Sequence, residues 1–166
     1  MRRILAVLTL MALLVVALAV PAFARGATQI SGVGFLPDEQ TCNDPGGEGA
    51  APGGEAADYA LILTGDLEGC LYTSIETRKS SPSGTYRETG TEVFVASDGS
   101  GTFETTYRFE AKYEDVDNLT GEIFGRCQHP IVKGSGTGIF EGVTGRLDFK
   151  DDIEAGNFPY RGHLRW

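Results

Sequence analysis

Two stretches near the C-terminus alternate so cleanly that they restrict the chain to a half-buried sheet. From Gly145 onward Leu147, Phe149 and Ile153 fall on one face, and Arg146, Asp148, Lys150, Asp152 and Glu154 fall on the other. The final segment repeats the pattern, with Phe158, Tyr160, Leu164 and Trp166 opposed to Arg161, His163 and Arg165. A period of two with one apolar and one charged face is the mark of antiparallel strands that are wet on one side.

Strand signals recur upstream at Tyr59 to Thr64, Leu67 to Thr77, Tyr86 to Ala96, Thr102 to Tyr113 and Glu122 to Val132, with a short candidate at Ile30 to Leu36. Ser81-Pro82-Ser83-Gly84, Asp98-Gly99-Ser100-Gly101, Asp117-Asn118 and Ala155-Gly156-Asn157 supply turn chemistry between them. Consecutive strands are therefore expected to pair as hairpins. After the N-terminal apolar run no segment sustains a helical period, which argues against βαβ and helical folds. The expected fold is all-β, a single antiparallel closed β-barrel of about eight strands, because closure removes edges without needing a second sheet.

The N-terminus predicts export. Arg2 and Arg3 precede an apolar run from Ile4 to Val20, and Ala22-Phe23-Ala24 has the form of a signal-peptidase site. Three regions are expected: a signal peptide over 1–24, a flexible segment over 25–57 with a Gly/Pro/Glu-rich loop, and a barrel over 58–166. Cleavage leaves 12 basic against 23 acidic residues, a formal charge of about −11. That charge disfavours nucleic acid and anionic membrane as partners and suits a soluble exported protein.

Three cysteines in an exported chain allow one bridge. Leu67, Leu71 and Ile75 share an apolar face, so Cys70 points the other way, whereas Cys127 counts with Ile123 and Ile131. This favours Cys42 with Cys70 and leaves Cys127 as a small buried hydrophobe. Pairing of Cys70 with Cys127 remains open, as does intermolecular pairing.

The strand Thr102 to Tyr113 has an unusually aromatic face: Phe103, Tyr107, Phe109, Ala111 and Tyr113, against Glu104, Arg108, Glu110 and Lys112. Such rings either plug a small barrel or line a pocket for one small ligand. Phe103, Tyr107, Phe109, Phe149, Phe158 and Tyr160 are the candidate wall residues. His129 is the candidate polar anchor.

The run Gly136-Thr137-Gly138-Ile139-Phe140-Glu141-Gly142-Val143-Thr144-Gly145, with a strand before it and the charged alternating strand after it, resembles the glycine-rich turn of the allene oxide cyclase and dirigent-like β-barrels. The resemblance spans residues 58 to 166 in strand order, but its motif is about ten residues long and marks fold more than activity. It implies an antiparallel barrel with a hydrophobic cavity, often in a homo-oligomer, acting on or steering small organic molecules. No catalytic residue carries over from it. Phe140 would cap one end of the core.

Direct chemistry is sparse. His129 and His163 lie on different strands without ligands at metal spacing, so no metal site is expected, and no cofactor. His163 reads as a surface residue. Cys127 and His129, two apart on a strand, stand side by side at roughly 6–7 Å, too far for an activated thiol. The carboxylates are expected on outward faces with ordinary pKa values, leaving hydrolase chemistry without a foothold. The glycine-rich segment over 37–57 lacks the ending of a phosphate loop. Asn118-Leu119-Thr120 has the form of a glycosylation acceptor. The first expectation is a secreted module that binds a small apolar molecule; the second is a cyclase or isomerase that works by positioning; the third is a solid-cored structural domain.

Overall fold

Eight strands follow in order, each antiparallel to the next: β1 (Thr28–Phe35), β2 (Tyr59–Gly65), β3 (Gly69–Ser80), β4 (Thr85–Ala96), β5 (Thr102–Asp115), β6 (Thr120–Pro130), β7 (Thr144–Lys150) and β8 (Phe158–Arg165). In this computed structural model, which describes residues 26–37, 42 and 57–166, β8 pairs back on β1 from Thr28↔Leu164 to Gly34↔Phe158 and closes the barrel. The expected signal peptide and most of the Gly/Pro/Glu-rich loop lie outside the described residues.

The barrel starts earlier than the 58–166 boundary suggests. β1 is a full stave between β2 and β8, so residues 28–35 belong to the barrel and not to a flexible segment. Its small inward residues explain why it carries a weak strand signal: a Cβ at Gly32 would lie 2.4 Å from the Tyr160 hydroxyl, so the large ring of β8 fills the space that β1 leaves.

The alternation read from the C-terminal strands holds where the ladder is regular. Leu147, Phe149, Tyr160 and Leu164 are all buried inside. It fails at the ends. Ile153 belongs to the β7–β8 turn and is exposed, and Trp166 follows β8, where its indole N–H donates to the Ile139 carbonyl at 2.9 Å.

The parity also slips on β6. The β5–β6 register jumps from Lys112↔Phe124 to Tyr113↔Glu122, leaving Ile123 as an extra residue. A bulge of this kind reverses which residues face in. Ile123 therefore points to solvent rather than joining Cys127, and Glu122 turns toward the interior.

One barrel end is sealed by rings. Phe94 and Phe103 stack with centroids 4.9 Å apart, and Phe140 meets both edge-on at 5.8 and 5.1 Å. Phe140 is delivered by a 3-10 turn, Gly138–Phe140, within the glycine-rich run. Gly138 has φ 57°, and a Cβ there would meet the Ser100 carbonyl oxygen at 2.0 Å, so the plug can lie against the β4–β5 turn only because the side chain is absent.

Cys42 and Cys70 are bridged, with Cα atoms 5.8 Å apart. Cys70 does face away from the interior, and the bridge sits in a small outer cluster with Ala57, Ala60 and Tyr72. Cys127 is a free buried thiol.

Candidate functional site

The opposite end of the barrel is hollow. A cavity of about 290 Å³ reaches in from a mouth rimmed by exposed Leu36 and Leu119. Phe109, Phe149, Phe158, Leu61, Tyr59, Tyr86 and Tyr113 form its walls, and Glu88, Glu92, Glu122, Cys127, His129 and Asp151 also line it. A wider hollow of about 520 Å³ between the 80–84 and 114–117 turns is a groove among mostly exposed turn residues.

The candidate wall residues separate into two sets. Phe109, His129, Phe149 and Phe158 line the cavity. Phe103 does not, because it is locked into the ring cluster at the sealed end. Tyr160 is likewise structural: its hydroxyl accepts from the Leu67 amide at 3.0 Å and donates to the Thr64 carbonyl at 3.1 Å. Tyr107 stands behind the wall, stacked on His129 at 6.1 Å, with its hydroxyl on Glu88.

The carboxylates depart most from expectation. β4 turns Tyr86, Glu88, Gly90, Glu92, Phe94 and Ala96 inward, which places two glutamates inside the barrel. Each is held by donors. Glu88 accepts from the Tyr86 hydroxyl at 2.5 Å and the Tyr107 hydroxyl at 2.7 Å, with the Arg78 guanidinium 3.6 Å away. Glu92 accepts from Thr73 at 3.1 Å and Thr105 at 2.5 Å, and lies 2.5 Å from His129 Nδ1. Such satisfaction is what allows a charge to be buried at all.

His129 Nδ1 pairs with the Glu92 carboxylate, which leaves Nε2 as the second polar atom of the ring. That nitrogen is buried without a hydrogen-bond partner. At 3% exposure His129 is not a rim residue but a fixed group in the depth of the pocket. The ring is wedged between Tyr107 and Phe149, the latter 4.6 Å away.

Nearer the mouth, Glu122 and Asp151 converge over Gly125. A Cβ on Gly125 would lie 2.0 Å from Asp151 Oδ2 and 2.4 Å from Glu122 Oε1, so the pair occupies the space a side chain would take. Burial, then the neighbouring Glu122 carboxyl, pushes the Asp151 carboxyl up to about 7. Tyr113 is pushed up to about 12 by burial and by the fields of Glu122 and Asp151. Burial, reinforced by Glu92, raises the Cys127 thiol, which keeps it protonated and unsuited to nucleophilic attack. Among the described residues no cluster of three or more His, Cys, Asp or Glu side chains is placed to hold a metal ion.

Sequence reasoning missed Glu88 and Glu92, although a signal was present: both share parity with Tyr86 and Phe94. Glu122 gave no such signal, since only the bulge at Ile123 turns it inward. Compared with known proteins, the chain matches no family model, no curated protein and no solved structure.

Proposed function

We propose that the protein binds a small, largely apolar molecule inside the barrel, with His129 as the polar anchor at its base. The hollow end carries this reading: a cavity of about 290 Å³ with mostly apolar and aromatic walls and one buried nitrogen in want of a partner. This is near the lower bound for small-molecule sites, roughly 300 Å³, and the combination of apolar walls with a few convergent polar groups is their usual composition. The Cys42–Cys70 bridge is consistent with the exported location that the N-terminal pattern predicts. Titration with the uncharged fluorophore N-phenyl-1-naphthylamine tests the reading. Its emission should rise and saturate, and Cys127→Phe, which fills the cavity, should abolish the rise; an unchanged signal in that variant would place the dye elsewhere.

A second reading, the cyclase or isomerase that the glycine-rich turn implies by resemblance, is favoured by one observation, the buried Glu92–His129 pair. Glu92 fixes the Nδ1–H, so Nε2 is free to take a proton from a substrate held against it, and positioning supplies much of the rate. The apolar probe 5-nitrobenzisoxazole reports such a base, because loss of its ring C–H proton breaks the N–O bond and releases a coloured phenolate. Turnover that disappears in His129→Gln supports this reading; an equal rate in that variant excludes His129 as the base.

A further inference from the structure

The cavity is electrically one-sided. Four carboxylates line it, Glu88, Glu92, Glu122 and Asp151, and His129 is its one basic lining residue among those described. The two deep carboxylates are saturated by hydroxyl donors and the imidazole. The two at the mouth have no such donors: Asp151 has the Glu122 carboxyl as its side-chain hydrogen-bond partner, and Glu122 Oε1 is buried with no N–H or hydroxyl donor.

Ionised carboxylates only accept, so Glu122 and Asp151 cannot satisfy one another unless one of them holds a proton. What would satisfy both is a group with several N–H donors and a positive charge. Around them stand Tyr86, Phe109 and Tyr113, with Tyr86 edge-on to each of the other two at 6.2 Å. Aromatic faces attract cations most strongly where water is excluded.

We propose that the ligand is a protonated primary or secondary amine on an apolar body, its ammonium seated between Glu122 and Asp151 and its body in the ring-lined hollow. This rests on the cavity being a ligand site and names the class of molecule it takes. His129 adds to it: with Nδ1 committed to Glu92, Nε2 is a buried ring nitrogen without a partner, so the deep end also selects a ligand with a polar group. A fatty acid or other anion would enter a cavity lined by an excess of carboxyl groups. A quaternary ammonium has the charge but no N–H for the unpartnered Glu122 oxygen.

Calorimetry at pH 8 and low salt with three probes of matched shape tests this: 3-phenylpropylamine, 3-phenylpropan-1-ol and 3-phenylpropanoate. The amine should bind about ten-fold or more tighter than the alcohol, and the carboxylate most weakly, a charge-assisted pair being worth at least one decade in affinity. Glu122→Gln with Asp151→Asn should reduce the amine to the alcohol's affinity while leaving the alcohol within about two-fold. The single variant Glu122→Gln, isosteric and at the mouth, should show part of the same loss and serves if the double variant does not fold. Equal binding of amine and alcohol, or an amine preference that survives the substitutions, overturns the ammonium site while leaving an apolar ligand site standing. If none of the three binds, and the uncharged naphthylamine dye does not either, the cavity reading falls with it.

Discussion

The two ends of this barrel solve the same packing problem in opposite ways. At one end Phe94, Phe103 and Phe140 interlock and exclude everything else. At the other, rings of similar size stand around a hollow that also contains Glu88, Glu92, His129, Glu122 and Asp151. The barrel closes at both, but the open end also carries the β6 bulge that turns Glu122 inward, so the difference lies in the side chains and in one slip of register. Close ring packing at one end and empty space at the other predict that the plugged end contributes more to stability than the hollow one.

The largest effect should come from the plug. Phe94→Ala removes a fully buried ring whose neighbours are held by strands and by the glycine-rich turn, so the site cannot collapse. A loss of about 3–5 kcal/mol in denaturant unfolding is expected. The bridge comes next. Cys70 pairs with Val95, the chain neighbour of the plug residue Phe94, and ties Cys42 to the outer wall across 28 residues of separation. Replacing both cysteines with serine should cost about 2–4 kcal/mol by releasing the denatured chain. Phe109→Ala, at the hollow end, should cost about 1–2 kcal/mol, because that ring already borders empty space and is only partly buried. Equal losses for Phe94→Ala and Phe109→Ala would erase the distinction between the ends.

The same contrast governs what could be read without coordinates. The strand order and the Cys42–Cys70 pairing were legible, because alternation and turn residues are local signals and Cys70 sits on an undisturbed stretch of ladder, whereas in the plug only Phe140 was expected, through the resemblance of the glycine-rich turn, and Phe103 was expected in a cavity wall. β1 was legible only as a short candidate at Ile30 to Leu36, since Gly32 and Gly34 leave its interior face to Tyr160 and Phe149. At the open end the expectation that carboxylates point outward failed for two separate reasons. Glu88 and Glu92 obey parity, and an ordinary count from Phe94 would have placed them inside; their buried charge is tolerable only because Thr73, Thr105, Tyr86 and Tyr107, distant in sequence, converge on them. Glu122 breaks parity through the bulge at Ile123, a feature of two strands in register that neither strand contains alone.

The smallest predicted effect is the most discriminating for the open end. Glu122 from β6 and Tyr113 from β5 face Asp151, with Lys150 and Asp152 as its chain neighbours, and burial with Glu122 raises its carboxyl from 3.8 to about 7. The folded state thus holds this proton more tightly than the unfolded chain does, so the carboxyl costs nothing below about pH 4, destabilises progressively as pH rises to about 7, and imposes a constant penalty above that. Asp151→Asn cannot ionise. It should match the parent protein in stability at about pH 4 and exceed it by about 1 kcal/mol at pH 8, the partial exposure of the site tempering the full linkage value. A variant that is instead less stable at pH 8 would mean that Asp151 already has a cationic partner within the folded chain, and the mouth would then have no spare negative charge to offer an incoming amine.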